Sequence, residues 1–549
     1  MSANPASTPS PLTTATPAPR GRVIFVGTGP GDPDLLTLGA VAALADASAV
    51  VIEDEELTSI LEHPAVKVNP KAEVQVITPR SNQRQLTPLQ RARAVLNHAR
   101  DGSRVVRLVK GDPFMDAGVA EEAAECVKGG IEFEIVPGVS SLTAVPEYAG
   151  ISLNTVDGMH FVTVGESFTK SQAAHWALAG TLVINARAGM VGEIAAATAL
   201  AGRVSDDPAM VIISGGSTAQ TTIPSTLAQL ADAVAAAGVD ENAHVHLVIG
   251  PGVAGNDQEL SWYESKPLFG WRVLVPRTKD QAGPMTNRLR SYGASSEEVP
   301  TISVEPPRSP QQMEKAIRGL VEGRYEWVAF TSVNAVKAVR ERFEAVGLDA
   351  RDFSGLKVAA VGRTTAKSLQ DWGIEPDLIP VGDQSAAGLA AEFPPYDEVL
   401  DPINRVFLPR ADIATETLSA ALVELGWEVE DITAYRTVRA SPPPAPIREA
   451  IKTGKFDAVV FTSSSTVRNL VGIAGKPHAT TVIAAIGPQT AKTCSEHGLR
   501  VDVMAAEPSA LELADALASF AAERRDEFIA NGTPVLRPSQ TRARGRRRS

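Results

Sequence analysis

EWVAFTSVNAV at residues 326–336 and DAVVFTSSSTV at residues 457–467 are two copies of one pattern, in which an apolar strand ends in Thr-Ser and a helix follows. Three more pairs of segments recur around them in the same order: RVLVPR at 272–277 and RVFLPR at 405–410, KVAAVGRTTAKSLQDWGIEPD at 357–377 and TVIAAIGPQTAKTCSEHGLRVD at 481–502, and QSAAGLAAEF at 384–393 and PSALELADAL at 508–517. The copies are much farther apart than the roughly 20–50 residues of a solenoid repeat. The repeated pattern therefore predicts that this part of the chain forms two similar α/β units that face one another.

The preceding part of the chain also alternates strand-like and Ala-rich helical stretches. RVIFVGTG at 22–29 is followed by LLTLGAVAALADA at 35–47 and by AVVIED at 49–54. This alternation predicts parallel or mixed sheets covered by helices, so that the whole chain is expected to be α/β.

Changes in composition predict the domain boundaries. Polar and turn residues cluster at 254–270, and a new strand begins after them. The two ends are predicted to be tails, because the first is rich in Pro, Ser and Thr without the pattern of a signal peptide and the second ends in TRARGRRRS. The predicted parts are a disordered tail at 1–20, a first region at 21–254, a linker at 255–270, a second region at 271–525 and a basic tail at 526–549.

Composition excludes several classes of function. The chain has 549 residues, a net charge of −12 and 5 % aromatic residues, which disfavours a nucleic-acid binder. Its two cysteines exclude a disulfide scaffold and a Cys-rich metal site, and the eight histidines show no metal-ligand spacing. No apolar run is long enough to span a membrane. We therefore expect a cytoplasmic protein without a metal site or a membrane partner.

The repeated segments place hydroxyl groups and glycines just after strands. In open α/β sheets such positions form binding sites, and helix N-termini there can hold anions. Nearby basic residues, among them Arg277 and Arg410, suggest a ligand with several carboxylates. Capping of the helices by Ser and Thr is the structural alternative. The predicted positions are Ser332, Gly362, Thr365, Ser463, Gly487 and Thr490.

Tyr435 follows a strand in the segment DITAYRT. It is either a half-buried core tyrosine or a hydroxyl that projects into the cleft between the two units.

Together these segments resemble the uroporphyrinogen-III synthase family over residues 271–522. The segments that carry the resemblance are VLVPR, FTSVNAV, AVGRTTA, QSAAGL, VFLPRADIATETL, AYRT, FTSSS, AIGPQTA and PSALEL. The resemblance implies an enzyme that closes linear hydroxymethylbilane into uroporphyrinogen III, with loss of water and inversion of ring D through a spiro intermediate. It implies no metal and no cofactor.

The same resemblance implies a fold and site residues. The fold would be two α/β lobes joined by two strands, with lobe one at 271–305 and 436–525 and lobe two at 306–435. Tyr435 would be the catalytic tyrosine. The substrate would be bound by Arg277, Ser332, Gly362, Thr365, Arg410, Ser463, Gly487 and Thr490.

Residues 22–253 resemble the tetrapyrrole methylases, and among them the uroporphyrinogen-III C-methyltransferases. The glycines of VGTGPGDPDLLTL at 26–38 do not have the spacing of a dinucleotide-binding turn. The resemblance rests on this segment and on RVVRLVKGDPF at 104–114, FEIVPGVSSLTAVPEYAGISL at 133–153 and LVIGPGV at 247–253. It implies two α/β domains, a homodimer formed through this region, and S-adenosylmethionine in the cleft between the domains. The cofactor would lie near Pro30, Asp32, Gly111, Asp112, Met115, Ser140 and Ser141.

Several methylase motifs are altered in this chain. The Tyr-Asp-Arg motif reads Glu53 and Asp54 followed by another acid, and ITPRSNQ at 77–83 replaces the usual Gly-Lys-Arg-Ala-Gly. Asp116–Ala120 replaces Phe-Gly-Arg-Gly-Gly, and Asn154–Asp157 replaces Thr-His-Arg-Asp. Lost glycines fill space that a ligand needs, and lost cations remove partners for substrate carboxylates. These changes predict the methylase fold with weak or absent methyl transfer.

Three readings of the function remain open on the sequence. The first is a synthase joined to a degenerate methylase. The second is a bifunctional enzyme that also methylates uroporphyrinogen III to precorrin-2. The third is a two-lobed protein that binds a carboxylated ligand without catalysis.

Overall fold

The structure is a computed structural model that describes residues 21–541 except 54, 62, 64, 80–85, 101, 255–259 and 278. The predicted N-terminal tail, Asp54 and the final residues 542–549 lie outside the described residues. The chain forms two compact units. The first contains the described residues up to Arg272, Thr286–Ser295 and Leu517–Val535, and the second contains Val273–Met285, Ser296–Ala516 and the described residues from Leu536 onward.

Two sheets form the framework of the first unit. Its strands β1–β10 are Arg22–Gly27, Ala49–Ile52, Glu73–Val76, Arg104–Val109, Glu132–Val136, Met159–Thr163, Thr181–Arg187, Pro208–Ile213, Thr221–Thr226 and His244–Ile249. Its helices α1–α9 are Leu38–Ala45, Thr58–Leu61, Pro88–Arg100, Ala120–Lys128, Ser141–Tyr148, Lys170–Ala174, Val191–Ala201, Leu230–Ala237 and Pro251–Ala254. The order β3-β2-β4-β1-β5 gives a parallel sheet, and the order β6-β7-β10-β8-β9 gives a mixed one. The prediction of an α/β fold with two sheets in this region is confirmed.

Two more sheets form the second half of the chain. Strands β11–β20 are Arg272–Val275, Ser295–Glu298, Ile302–Glu305, Trp327–Phe330, Lys357–Ala360, Arg405–Ala411, Glu428–Arg439, Ala458–Phe461, Val482–Ala485 and Val503–Met504. Helices α10–α19 are Lys279–Ser291, Pro310–Val321, Val333–Ala345, Arg363–Gln370, Ala386–Glu392, Thr417–Glu424, Ala445–Lys452, Ser464–Ala474, Pro488–Glu496 and Ala510–Ala530. The sheet orders are β12-β11-β18-β19-β20 and β13-β17-β16-β14-β15. Each copy of the repeat thus supplies neighbouring parallel strands, β14 with β15 and β18 with β19.

The long strand β17 belongs to two pairings. Its first part runs parallel to β16, and its last part pairs antiparallel with β13. Residues 302–305 and their partners 436–439 were all assigned to lobe one by the sequence, and both segments belong to the sheet that also contains β14, β15 and β16. The irregular register between Arg410 and Ala411 lies where β17 reaches Tyr435.

The segments predicted as linker and C-terminal tail are partly built into the fold. Tyr263 and Leu268 are buried, and the Trp262 indole N–H donates to the Glu147 carbonyl. Helix α19 continues to Ala530, past residue 525, and the Ser539 amide N–H donates to the Asp457 carboxylate. Within the predicted linker at 255–270, apolar packing of Tyr263 and Leu268 overrides the polar composition that suggested it.

No helix in the described part of the chain is long and apolar enough to cross a membrane.

Candidate active site

The predicted hydroxyls and glycines of the second half follow the carboxyl ends of parallel strands. Ser332 follows β14, Gly362 follows β15 and Arg410 lies near the end of β16, while Tyr435 is in β17. Because β17, β16, β14 and β15 are neighbours in this order and parallel, these residues share one edge of a sheet. In the other sheet, Arg277, Ser463 and Gly487 follow β11, β18 and β19 in the same way.

Two predicted site residues of the second half, Ser332 and Tyr435, contact each other. Their hydroxyl oxygens lie 3.0 Å apart. Tyr435 is only 7 % exposed, so its ring is part of the core while its hydroxyl reaches Ser332. Ser332 is also the N-cap of α12, because its Oγ accepts the amide N–H of Ala335 at 3.1 Å. The Ser332 hydroxyl therefore both caps α12 and contacts Tyr435.

A cavity of about 590 Å³ opens beside this pair. One wall is β13 with the residues that follow it, a second is a face of α12, and the third is Ala434 with Tyr435. The volume lies within the range of small-molecule sites, roughly 300–1,000 Å³.

The other hydroxyls fit the structural alternative more closely. The Ser463 Oγ accepts the Thr466 amide N–H at 3.3 Å and lies 2.9 Å from the Ser465 Oγ, as a helix cap does. Thr365 and Thr490 are each 4 % exposed and point into the packing of α13 and α18. Gly487 has open space where a Cβ would lie, whereas a Cβ at Gly362 would press on Gln384.

The two predicted arginines differ in their surroundings. The Arg410 Nε donates to Asp431 at 2.6 Å, and its guanidinium also donates to the carbonyl of Thr415. Arg410 therefore holds the end of β16 against β17, a partner that the sequence did not indicate. Arg277 is half-buried, and burial lowers its pKa from the usual value.

In the first unit, the predicted cofactor residues surround the ends of β1, β4 and β5. Gly29 and Gly111 exchange two backbone hydrogen bonds, of 3.2 and 2.8 Å. The Asp112 carboxylate accepts the amides of Phe114, Met115 and Gly138 at 2.9, 2.9 and 3.2 Å. These hydrogen bonds fix the conformation of the loop.

Comparisons with known proteins match both parts of the chain. The family model "Uroporphyrinogen-III synthase HemD" matches residues 283–515, and the model "Tetrapyrrole (Corrin/Porphyrin) Methylases" matches residues 22–231. A uroporphyrinogen-III synthase of Synechococcus elongatus is 32 % identical over 44 % of this chain and 92 % of its own length. An S-adenosyl-L-methionine-dependent uroporphyrinogen III methyltransferase of Methanosarcina barkeri is 32 % identical over 43 % of this chain and 98 % of its own.

The chain belongs to both families. It carries a tetrapyrrole methylase domain followed by a uroporphyrinogen-III synthase domain. A porphyrin biosynthesis protein HemD of Ruminiclostridium josui is 27 % identical over 87 % of this chain and 94 % of its own length, so it matches across both domains.

In the methylase domain, Asp116 occupies the centre of the predicted cofactor residues. Its carboxylate accepts the amide N–H groups of Asp112 at 2.7 Å and Ser141 at 3.2 Å. It also accepts the hydroxyls of Ser140 at 3.2 Å and Ser141 at 2.7 Å. The sequence showed Asp116 only as a departure from the motif, because nothing local reveals which donors surround it.

The network continues from Ser141 to a histidine that the sequence missed. The His246 Nε2 lies 3.0 Å from the Ser141 Oγ. Since Ser141 donates its hydrogen to Asp116, His246 must donate to Ser141 and is the Nε2–H tautomer. Burial, with smaller contributions from His244 and Lys110, lowers the pKa of His246 to about 3.

Two other predicted residues lie around this network. The Asp32 carboxylate accepts the Tyr148 hydroxyl at 2.8 Å, and burial together with Asp32 raises the pKa of Tyr148. Pro30 is buried against the loop at Gly216. Met115 is 47 % exposed and lines a second cavity, of about 670 Å³, beside β6.

Glu53, at the altered Tyr-Asp-Arg motif, belongs to an ionic network. It accepts the Arg107 Nη2 at 2.9 Å, and Arg107 reaches Glu122 at 3.3 Å. Arg91 bonds the same Glu122 at 2.7 Å. The acidic residue that replaced the motif is therefore a counter-ion for the buried Arg107 side chain.

Proposed function

We propose that the synthase domain closes hydroxymethylbilane to uroporphyrinogen III, with loss of water and inversion of ring D, and that Tyr435 is its catalytic residue. The observation that carries the proposal is the 3.0 Å contact between the hydroxyls of Ser332 and Tyr435, together with the cavity that Tyr435 lines. The relative from Synechococcus elongatus supports the same activity.

The hydrogen bonds of this pair favour a donor role for Tyr435. The Ser332 Oγ accepts the Ala335 N–H and keeps its own hydrogen. In the proposed arrangement Ser332 donates this hydrogen to the tyrosine oxygen, which leaves the phenol hydrogen for the substrate. There it can assist the departing hydroxyl group, while the C–O bond breaks and the group leaves as water. The ring closure proposed here uses no metal and no cofactor.

For the methylase domain we propose weak or absent methyl transfer. The residues expected around S-adenosylmethionine do not fit the cofactor, because Asp116 already uses the donors of Asp112, Ser140 and Ser141. The residues that line the neighbouring 670 Å³ cavity are described in full, and none of them is Lys or Arg. A macrocycle with many carboxylates would lack cationic partners there.

A bifunctional enzyme is the second candidate. The loop that begins at Gly29 is bridged to Gly111, and the Asp112 carboxylate accepts three amide N–H groups, so the segments that carry the resemblance are ordered here. The Methanosarcina barkeri relative, whose name includes S-adenosyl-L-methionine dependence, supports this reading.

One experiment separates these candidates. The purified full chain is given hydroxymethylbilane with and without S-adenosylmethionine, in the presence of a chelator, and the macrocycles are resolved by chromatography. We expect the type III macrocycle, unmethylated in both samples. A methylated product would establish the bifunctional enzyme, whereas only the spontaneous type I isomer would refute the synthase.

Self-association through the methylase domain stays a prediction. Phe114, Met159 and Leu178 are large apolar side chains that are at least 41 % exposed in the chain by itself, which supports it. Sedimentation of the full chain would give the oligomeric state.

A further inference from the structure

One face of α12 forms a charged wall of the cavity at Tyr435. The residues that line the cavity from this helix are Asn334, Lys337, Ala338, Glu341 and Arg342. Their spacing of three and four residues places them on one side of the helix. The wall therefore offers two cations and one carboxylate to whatever enters the cavity.

The carboxylate on the opposite wall is already neutralised. Glu305 of β13 pairs with Arg436 of β17 at 2.7 Å. Arg436 also donates to the carbonyl of Pro306 at 3.2 Å. Lys337, Arg342 and Arg436 against Glu305 and Glu341 give the charged residues of the two walls a positive formal charge.

We propose that Arg342 and Lys337 bind a carboxylate side chain of the substrate and so position a pyrrole ring against the Tyr435 hydroxyl. The proposal rests on the synthase activity proposed above, because each pyrrole ring of that substrate carries two carboxylates. The planar guanidinium of Arg342 suits bidentate binding of one carboxylate, whereas Lys337 acts as a point charge.

The same helix connects this anchor to the chemistry. Its N-cap Ser332 contacts Tyr435, and Lys337 and Arg342 follow farther along α12. A carboxylate held at Arg342 thus fixes the substrate relative to the hydroxyl pair through one rigid element. Arg342 and Lys337 are positioning residues, and Tyr435 remains the group that acts on the reacting atoms.

The test compares two arginines of α12 in the full chain. Arg342→Gln removes the proposed anchor. Arg340→Gln is the matched control, since Arg340 is half-exposed, pairs with Glu344 at 2.8 Å and does not line the cavity. We expect Arg342→Gln to raise KM for hydroxymethylbilane roughly tenfold or more, as the loss of a charge-assisted hydrogen bond does, with little change in kcat. Lys337→Gln should act in the same direction, and Arg342→Lys should restore part of the affinity.

Glu341→Gln should lower KM, the opposite of the effect of Arg342→Gln. It removes the carboxylate that competes with the substrate for Lys337 and Arg342. Melting temperatures identify any variant that does not fold. Equal KM values for Arg342→Gln and Arg340→Gln would overturn the inference. A wild-type chain that makes no type III product would instead refute the proposed function.

Discussion

The hydroxyl oxygens of Ser332 and Tyr435 lie 3.0 Å apart although the residues are 103 positions apart in the chain. The contact joins the start of α12, the helix that follows β14, to β17, which is separated from β14 by β16 in the same sheet. It is the one place where two predicted site residues of the synthase domain are seen to bond each other among the described side-chain contacts. The first prediction therefore concerns this pair.

Tyr435→Phe should slow formation of the type III macrocycle by roughly 10²–10⁴-fold, as the loss of a general acid does. The melting temperature should change little, because the ring that packs in the core is kept. Ser332→Ala should slow turnover less and also lower stability by about 1 kcal/mol through the lost helix cap.

Ser385→Ala controls for the cap. The Ser385 Oγ caps α14 by accepting the Gly388 N–H at 3.2 Å and has no contact with Tyr435. The Ser385→Ala variant should be less stable and should form the type III macrocycle at the parent rate. If Tyr435→Phe turned over at the parent rate, Tyr435 would be a structural residue.

The second prediction concerns S-adenosylmethionine and Asp116. Calorimetric titration of the full chain should show no binding in the micromolar range. Asp116→Ala should raise the affinity, because it frees the donors on Asp112, Ser140 and Ser141. The control Asp232→Ala removes an exposed carboxylate on α8 and should change nothing. Micromolar binding by the parent chain would show that the loop accepts the cofactor as it stands.

The sequence predicted the sheets well and their side-chain partners less well. The repeated segments predicted the strands β14, β15, β18 and β19 and the helices after them, because an apolar strand with a capped helix after it forms from local information. The partner of Arg410 could not be predicted, since Asp431 lies on the neighbouring strand β17. The role of Asp116 was hidden for the same reason, because its four donors come from two separate loops. A motif comparison marks such a residue as a departure and does not say what it bonds.

The third prediction concerns the buried ion pair of Arg107 and Glu122, whose side chains are 3 % and 1 % exposed. Arg107→Met leaves the buried Glu122 with Arg91 as its ion partner and should destabilise the methylase domain by about 1–3 kcal/mol through the lost charge-assisted hydrogen bonds. The double variant Arg107→Met, Glu122→Leu should lose less, because the buried Glu122 charge is removed as well and Arg91 keeps Glu53 as an ion partner at 3.6 Å. Hydrogen exchange of peptides that cover β4 measures the change locally.

Arg22→Met is the matched control for this pair. Arg22 pairs with Glu134 at the surface, and the two side chains are 42 % and 43 % exposed. Its loss should change stability by less than about 1 kcal/mol. Equal effects of Arg22→Met and Arg107→Met would contradict a special role for the buried network.

The fourth prediction concerns His246 and pH. The unfolded chain has a His pKa near 6.5, and burial lowers the folded value to about 3, so the folded domain holds a neutral imidazole. Protonation therefore favours the unfolded state. The contribution of His246 to the free energy of unfolding should therefore be constant above about pH 6.5. It should fall by about 1.4 kcal/mol per pH unit as the pH drops toward 3.

His246→Gln keeps an N–H donor for Ser141 and removes the titrating group. At pH 7.5 and at pH 5.5, hydrogen exchange of the β10 peptide is compared between the parent chain and this variant, so that the intrinsic pH dependence of exchange cancels. The parent should lose protection relative to the variant at pH 5.5 and not at pH 7.5. A constant difference between the two proteins at both pH values would mean that the pKa of His246 is the same in the folded and the unfolded chain, and it would contradict the prediction.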